Sequence, residues 1–344
     1  MKKVIFIYPK KATFIDLDIE ILSKKYDVTV NTYNWVNKFA LPINLIKQLF
    51  FLIWNIKSTD IIIVSFGGYW SVIPSILGKI FKKPIFIILH GTDCASFKEL
   101  NYGSMRKPLL KYALRVSYKY ATKLLPVSDS LIYNENTYFK SGKTIKQGYK
   151  HFFKNNTTPK EVIHNSIDTE KWHIDKSIDR KSNRFITVLS NGQFIIKGGE
   201  LIAEVANKLP NCEFHFIGMD PPKNNEDYPE NITFYGRQTP SELLKHYNES
   251  QYYLQLSLTE GFGCALAEAM ACGCVPIVSE VNILPDIVGN TGYILKERNV
   301  NSLKLLIKNI KTSGKRESAR NRIIELYSIR KRQELLFKTL EKEI

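Results

Sequence analysis

Short runs of β-branched and aromatic residues recur along the chain and are separated by helix-like segments. Most runs are continuously apolar rather than alternating, which is typical of strands buried on both faces of a parallel sheet. The first half of the chain has six such predicted strands, at Lys3–Tyr8, Tyr26–Thr32, Asp60–Phe66, Pro84–His90, Lys123–Val127 and Glu161–His164. The second half has six more, at Arg184–Ser190, Cys212–Ile217, Ile232–Tyr235, Tyr252–Ser257, Cys274–Ser279 and Gly292–Leu295.

Strands that alternate with helices form βαβ units, so the pattern predicts an α/β protein with two doubly wound Rossmann-like domains. A length of 344 residues also favours two domains. We predict an N-terminal domain at 1–168 and a C-terminal domain at 169–325, with the polar stretch Thr169–Asn183 as the linker. Residues 326–344 are expected to form a C-terminal helix that packs back on the first domain. Ligands bind at the carboxyl ends of such strands, so both sets of strand ends can face one central cleft.

An apolar stretch from Leu41 to Ile56 contains Lys47, Gln48 and Asn55. Because a membrane span needs about 18 or more apolar residues, this stretch predicts a helix in the domain core. The N-terminal apolar run is only as long as a strand and does not indicate a secretory signal. We therefore expect a cytoplasmic protein, peripheral on the inner face of the cell membrane.

The formal net charge of +16 indicates an acidic partner or surface. Five cations recur every fourth residue, which places neighbours close together on one helix. They are Lys107, Lys111, Arg115, Lys119 and Lys123, with apolar residues between them. A basic amphipathic helix suits an anionic membrane surface. An ordinary solvated helix face is an equally consistent reading.

The segment from Ser257 to Gly273 follows a predicted strand with a glycine-containing loop and a helix of small residues. Glycines such as Gly261 and Gly263 let a ligand approach the backbone, and the first amides of a helix bind anions such as a diphosphate. The carboxylates of Glu260 and Glu268 can each accept hydrogen bonds from paired hydroxyls. In a purely structural interpretation, Glu260 is a helix cap and Glu268 is a solvated charge. Because Glu268 lies in an otherwise apolar helix, a functional role is favoured.

Two further segments follow predicted strands. In the first, Gly192, Gln193 and Lys197 lie after the first strand of the second domain, and a lysine that opens a helix there would offset charge developing on a departing diphosphate. In the second, His90 and Asp93 follow the strand residues Pro84–Leu89. Taken alone, Lys197 reads as a surface lysine, His90 as a structural histidine and Asp93 as a cap of the following turn.

Together these motifs resemble family 4 glycosyltransferases of the GT-B fold, whose signature is E-x7-E, here Glu260 and Glu268. Four other segments, at 126–128, 162–168, 274–279 and 284–288, support the resemblance. The resemblance implies that Glu260 contacts the donor sugar and Glu268 the ribose hydroxyls. It also implies that the backbone of Phe262 and Gly263 meets the sugar and the diphosphate.

The same resemblance extends to the other two segments. The family usually has an arginine where this chain has Gln193, followed by a lysine that matches Lys197, and here the loop is about one residue shorter. His90-Gly91-Thr92-Asp93 is similar to the family's His-Gly-x-Asp segment. This implies that His90 lies over the reacting centre and makes Asp93 a candidate acceptor-side residue.

The sequence thus predicts a retaining, metal-independent hexosyltransferase with His90, Lys197 and Glu260 in catalysis. The resemblance implies a nucleotide-diphosphate sugar as substrate, no cofactor, and a glycan or lipid-linked acceptor in cell-surface polysaccharide or lipopolysaccharide biosynthesis. The Asp16-Leu17-Asp18 sequence begins an amphipathic helix and does not indicate a metal site. A GT-B nucleotide-sugar epimerase remains an alternative. So does a basic nucleic-acid-binding protein, although the sequence has no recognised nucleic-acid module.

Overall fold

The computed structural model describes residues 1–35, 37–140, 142–221, 228–311 and 314–343. The chain divides into two compact units. The first unit contains Met1–Asn134, Lys146–Asn165 and Arg330–Ile344, and the second contains Glu135–Ile145 and Ser166–Ile329.

The first unit is built on a sheet of five parallel strands in the order β2-β1-β3-β4-β5. The strands are β1 (Lys3–Ile7), β2 (Asp27–Asn31), β3 (Ile61–Ser65), β4 (Ile85–Leu89) and β5 (Lys123–Pro126). β3 and β4 are buried along their whole length, as expected for continuous apolar runs at the centre of a parallel sheet.

Helices connect these strands: α1 (Thr13–Ser23), α2 (Leu41–Asn55), α3 (Val72–Phe81) and α4 (Pro108–Tyr120). The short α5 (Tyr149–Phe152) comes later in the chain, after β5. The predicted strand Glu161–His164 is not a strand of this sheet. Its backbone instead runs along β5, where Glu161 N–H donates to Leu124 O at 3.0 Å and Ile163 N–H to Pro126 O at 3.0 Å.

The second unit has a sheet of six parallel strands in the order β10-β9-β8-β11-β12-β13. These strands are β8 (Lys181–Val188), β9 (Glu213–Ile217), β10 (Ile232–Tyr235), β11 (Ser250–Gln255), β12 (Val275–Ser279) and β13 (Tyr293–Leu295). The two sheets confirm the prediction of two Rossmann-like α/β domains. A separate two-stranded sheet, β6 (Asn134–Lys140) with β7 (Lys143–Gln147), was not predicted.

The helices of the second unit are α6 (Gly199–Ala206), α7 (Pro240–Glu249), α8 (Cys264–Ala271), α9 (Leu284–Val288), α10 (Val300–Lys308) and α11 (Lys315–Tyr327). The last helix, α12 (Ile329–Glu341), counts with the first unit from Arg330 onwards. Its buried Arg332 pairs with Asp18 of α1.

Two sequence predictions need correction. The stretch Thr169–Asn183 is not a free linker, because Arg180 donates to Cys272 O at 2.7 Å and Trp172 is buried, both within the second unit. The helix α2 is not a core helix, since its apolar side chains are largely exposed. None of the helices in the described part of the chain combines the length and apolar character needed to cross a bilayer.

Candidate active site

The carboxyl ends of β8 and β11 lie side by side because these two strands pair in parallel. The loops that follow them are tied together, since Leu258 N–H donates to Ile196 O at 2.7 Å. Gly198 has a φ of +77°, and a Cβ there would lie 2.2 Å from the Leu256 carbonyl oxygen. A glycine is therefore required at this position for the two loops to pack.

A short ion pair joins the two loops. Lys197 Nζ lies 2.5 Å from Glu260 Oε2, and both side chains are mostly buried. Glu260 Oε2 also accepts hydrogen bonds from Gln255 Nε2 at 2.9 Å and from Ser257 Oγ at 3.2 Å. The structure thus brings together the two residues that the sequence predicted from separate motifs, and it holds their side chains in fixed positions.

Sequence reasoning missed two asparagines that support this site. Asn282, which has a φ of +51°, accepts the backbone N–H of Glu260 on its Oδ1 at 3.0 Å. Asn136 of β6 is buried and donates from Nδ2 to Leu258 O at 2.7 Å. Asn282 could have been found by inspecting the residues after β12. Asn136 lies in a strand pair that the pattern did not predict.

Helix α8 begins directly after Gly263, whose φ of +99° turns the chain from the loop into the helix. A Cβ on Gly263 would lie 3.1 Å from Leu284 Cδ2. The Phe262 ring is buried and packs on Tyr327, with 5.3 Å between ring centroids, so Phe262 can meet a ligand only through its backbone. The first amides of α8 are therefore presented at the same edge of the sheet as Glu260 and Gly261.

Glu268 lies within α8 and is half-buried. Burial raises its pKa from the usual 4.5 to about 7, while the nearby Lys171 and the Tyr247 hydroxyl oppose the rise. Because this pKa lies in the physiological range, both protonation states of the Glu268 carboxyl are populated. A ligand that stabilises one of the two states will therefore shift the pKa.

Gly192 and Gln193 lie in the loop after β8. Gly192 has a φ of +83° with open space around it, and Gln193 accepts the Ser190 N–H at 3.4 Å. Lys197 precedes α6 by two residues rather than opening it. This loop places a neutral amide where the resembled family has a charged side chain.

His90 follows β4 in the first unit, and its imidazole packs at a tilt against the rings of Phe14 and Phe66, at centroid distances of 4.7 and 4.3 Å. His90 Nε2 lies 2.9 Å from Ser65 Oγ, whereas Nδ1 is covered and has no hydrogen-bond partner among the described residues. Burial, and secondarily the charge of Arg332, holds the pKa of His90 well below 6.5. The ring is therefore neutral at physiological pH.

Asp93, a candidate acceptor-side residue, is fully buried. Its Oδ2 accepts Gly67 N–H at 2.9 Å, and its Oδ1 accepts Gly91 N–H at 2.9 Å and His90 N–H at 3.1 Å. Burial raises the pKa of Asp93, and these amide bonds oppose the rise. Asp93 therefore shapes the loops after β3 and β4 and holds His90 in place.

A small cavity of about 230 Å³ opens at the carboxyl ends of β1, β3 and β4 in the first unit. It is lined by Pro9, Lys10, Lys11, Ala12, Phe66, Gly67, Trp70, Thr92 and Ser104. Phe66 links it to His90, since the two rings are in contact. The cavity offers apolar walls and two cations to a small ligand.

The predicted basic helix needs one correction. Lys123 is buried on β5, where it pairs with Glu161 at 3.5 Å and Glu343 at 3.3 Å, so it is not a surface cation. Lys107 directly precedes α4, while Lys111, Arg115 and Lys119 lie on it. Arg115 and Lys119 line a cavity of about 530 Å³ with His151, Lys154 and their neighbours. A strongly basic surface therefore remains without Lys123.

No group of three or more His, Cys, Asp or Glu side chains arranged to hold a metal ion occurs in residues 1–35, 37–140, 142–221, 228–311 and 314–343.

Similarity to known proteins is consistent with this architecture. Residues 170–326 match the family model described as "Glycosyl transferases group 1". The N-acetyl-alpha-D-glucosaminyl L-malate synthase of Bacillus anthracis is 26% identical over 287 residues, which cover 78% of this chain and 69% of the relative.

Two solved structures share the fold over nearly the whole chain. Sucrose-phosphate synthase from Thermosynechococcus elongatus has a TM-score of 0.77 at 13% identity and covers 99% of each chain. Anabaena HepE in complex with UDP-glucose has a TM-score of 0.72 at 15% identity and covers 99% of this chain and 100% of its own.

Proposed function

We propose that this chain is a glycosyltransferase that takes its sugar from a nucleotide-diphosphate donor. Residues 170–326 match the model of the glycosyl transferases group 1 family, and the chain has the two Rossmann-like units of the GT-B fold. The observation that carries the proposal is the Lys197–Glu260 pair at the edge of the second sheet. The UDP-glucose complex of the HepE structure supports a donor of this class.

The donor site consists of residues of the second unit. Without donor, Glu260 neutralises Lys197 at 2.5 Å. A bound diphosphate would attract Lys197, and the Glu260 carboxylate would then accept hydroxyls of the sugar while Gln255 and Ser257 keep it in place. Glu268 accepts the ribose hydroxyls, and the amides at the start of α8 meet the diphosphate.

The proposed reaction keeps the anomeric configuration. The bond between the anomeric carbon and the diphosphate oxygen breaks, and the acceptor hydroxyl adds on the same face while its proton passes to the departing diphosphate. Lys197 and the α8 amides stabilise the charge that develops on that leaving group. Catalysis then rests on positioning and charge stabilisation, and a catalytic role for His90 stays a prediction.

The acceptor is proposed to be a glycan or a lipid-linked sugar, bound by the first unit. The cavity beside Phe66 supports this assignment, and Lys10 and Lys11 at its rim favour an anionic acceptor. Lys107, Lys111, Arg115 and Lys119 are proposed to contact an anionic membrane surface, on which a lipid-linked acceptor for cell-surface polysaccharide would be carried.

A donor panel tests the proposal most directly. UDP- and GDP-linked sugars are screened for thermal stabilisation, and the stabilising donor is then incubated with glycan and lipid-linked acceptors while nucleoside diphosphate release and product anomers are followed. We expect stabilisation by one donor class and acceptor-dependent release. Epimerisation or hydrolysis alone, without any acceptor-dependent product, would argue for the epimerase reading. Stabilisation that survives replacement of both Glu260 and Glu268 by Ala would contradict the assigned site.

A further inference from the structure

Helix α2 exposes its apolar face to solvent and turns polar residues toward the protein. Its Ile43, Ile46, Phe50, Ile53 and Trp54 follow one another at steps of one, three or four residues and are exposed, Phe50 at 67% and Trp54 at 86%. The residues that face the protein are Asn44, Gln48 and Leu52. An amphipathic surface helix of a soluble domain normally shows the opposite arrangement.

The inward polar residues hold this orientation. Asn44 Nδ2 donates to Asn34 O at 2.8 Å, and Gln48 Nε2 donates to Trp70 O at 3.0 Å. Rotation of α2 to bury its apolar stripe would break both bonds and leave these carbonyls without their donors. The outward position of the apolar stripe is therefore specified by the sequence.

The apolar surface continues beyond α2. Phe39, which precedes the helix, is 93% exposed. Helix α3 packs against α2 and adds the exposed side chains of Ile76 and Ile80. A group of large exposed apolar side chains on two packed helices is typical of a site that contacts another molecule or a membrane.

In the part of the sequence that carries this surface, all charged residues but one are lysines. Between Asp27 and Asp93 the only acidic residue is Asp60, which accepts the Lys3 backbone N–H at 2.7 Å. Among the lysines of this part of the chain whose exposure the structure describes, Lys47, Lys57, Lys79 and Lys82 are exposed. A second copy of the chain would bring these lysines against their own equivalents, whereas anionic lipid headgroups complement them.

We propose that α2, with the adjoining side of α3, inserts into the interfacial layer of an anionic lipid bilayer. The isoleucines enter the acyl boundary, and Phe39, Phe50 and Trp54 occupy the headgroup level, where aromatic side chains are favoured. This surface is distinct from the basic face of α4, whose contact would be electrostatic alone.

The test is flotation of the full chain with vesicles of phosphatidylglycerol and phosphatidylcholine. The double variant Phe50→Ser with Trp54→Ser is expected to bind roughly ten- to a hundredfold more weakly, because two exposed aromatic side chains no longer leave water. The matched control, Leu305→Ser with Ile324→Ser, removes two exposed apolar side chains of the second unit and should bind like the wild type. Thermal unfolding by circular dichroism checks that the variants fold equally well.

Salt and fluorescence separate insertion from surface attraction. Apolar insertion leaves part of the binding at high salt, where charge contacts are screened. Trp54 is the most exposed of the four tryptophans, so its emission should shift to the blue on vesicles and the shift should vanish in Trp54→Phe.

Two results would overturn the proposal. In one, the Phe50/Trp54 variant binds vesicles like the wild type, while replacement of Lys107, Lys111, Arg115 and Lys119 by Gln abolishes binding. In the other, sedimentation velocity shows a wild-type dimer that the Phe50/Trp54 variant loses, and no vesicle binding is seen. The second result would assign the surface to a copy of the chain.

Discussion

Arg332 in the last helix and Asp18 in the first helix form a bidentate ion pair, with Nε–Oδ1 at 2.5 Å and Nη2–Oδ2 at 2.7 Å. Both side chains are almost completely buried. Arg332 Nη1 also donates to Ile163 O at 2.9 Å. The pair therefore fastens α12 to α1 and to the segment beside β5, all within the first unit.

Asp18→Ala should destabilise the first unit by about 3–5 kcal/mol, because it leaves the Arg332 guanidinium buried without its counter-charge. Urea unfolding followed by circular dichroism measures the change. Asp16→Ala is the matched control, since the Asp16 side chain is 47% exposed and lies 3.8 Å from Lys11. Equal midpoints for the two variants would mean that the Asp18–Arg332 pair contributes nothing to stability.

Glu268→Ala should weaken nucleotide binding with the fold intact. Each lost hydrogen bond to a carboxylate is worth about 1.5–3 kcal/mol, so we expect a loss of tenfold or more in affinity. Calorimetric titration with UDP and with GDP measures it. Glu204→Ala, on the exposed side of α6, is the control. Unchanged affinity in Glu268→Ala would rule out the ribose role.

Nucleotide affinity should depend on pH through Glu268, whose pKa is raised to about 7. Only the ionised carboxylate accepts both ribose hydroxyls, so binding lowers this pKa and strengthens as pH rises. Affinity should increase about tenfold from pH 6 to pH 8 and then level off. The nucleotide phosphate also titrates near this range, so the measured quantity is the difference between wild type and Glu268→Gln. A difference that does not change with pH would contradict the prediction.

Gln193→Arg should keep or improve donor binding, because a guanidinium can pair with two oxygens of a diphosphate. The wild-type Gln193 accepts the Ser190 N–H at 3.4 Å, a weak bond whose loss costs little. Donor Michaelis constants for wild type and variant measure the effect. A large rise in that constant would show that the shorter loop aims the side chain away from the diphosphate.

Transferase activity should persist in excess EDTA. The proposed charge stabilisation comes from Lys197 and from the amides at the start of α8, not from an ion. Initial rates with and without chelator, followed by addition of Mg²⁺ or Mn²⁺, measure the requirement. Complete loss of activity that a metal ion restores would show this reading to be wrong.

The central strands and the acidic signature were predictable because their patterns are local. Continuous apolar runs such as Ile61–Ser65 and Ile85–Leu89 have few stable alternatives to a buried parallel strand. Glu260 and Lys197 were found from glycine-rich segments that directly follow such strands. That these two side chains touch each other depends on the pairing of β8 with β11, which no local pattern encodes.

The misread segments depend on long-range partners. The apolar content of helix α2 predicted a core helix. Its orientation is instead set by Asn44 and Gln48, which donate hydrogen bonds to backbone carbonyls inside the unit. Lys123 fits a four-residue repeat, yet α4 ends at Tyr120 and Lys123 begins the next strand. The sequence offered Asp93 as an acceptor-side residue or a turn cap, and its burial was not predictable because its amide donors lie on two different loops.

Because α12 packs in the first unit but follows the second unit in the chain, it determines which unit can finish folding first during synthesis. Arg332 is made 314 residues after Asp18, so at about 5–20 residues per second the nascent first unit waits roughly 16–60 s for its last helix. The second unit, which ends at Ile329, is complete before that helix emerges from the ribosome. The first unit therefore cannot reach its final structure until the second unit has been synthesised, and chains released before Arg332 would lack the Asp18–Arg332 pair.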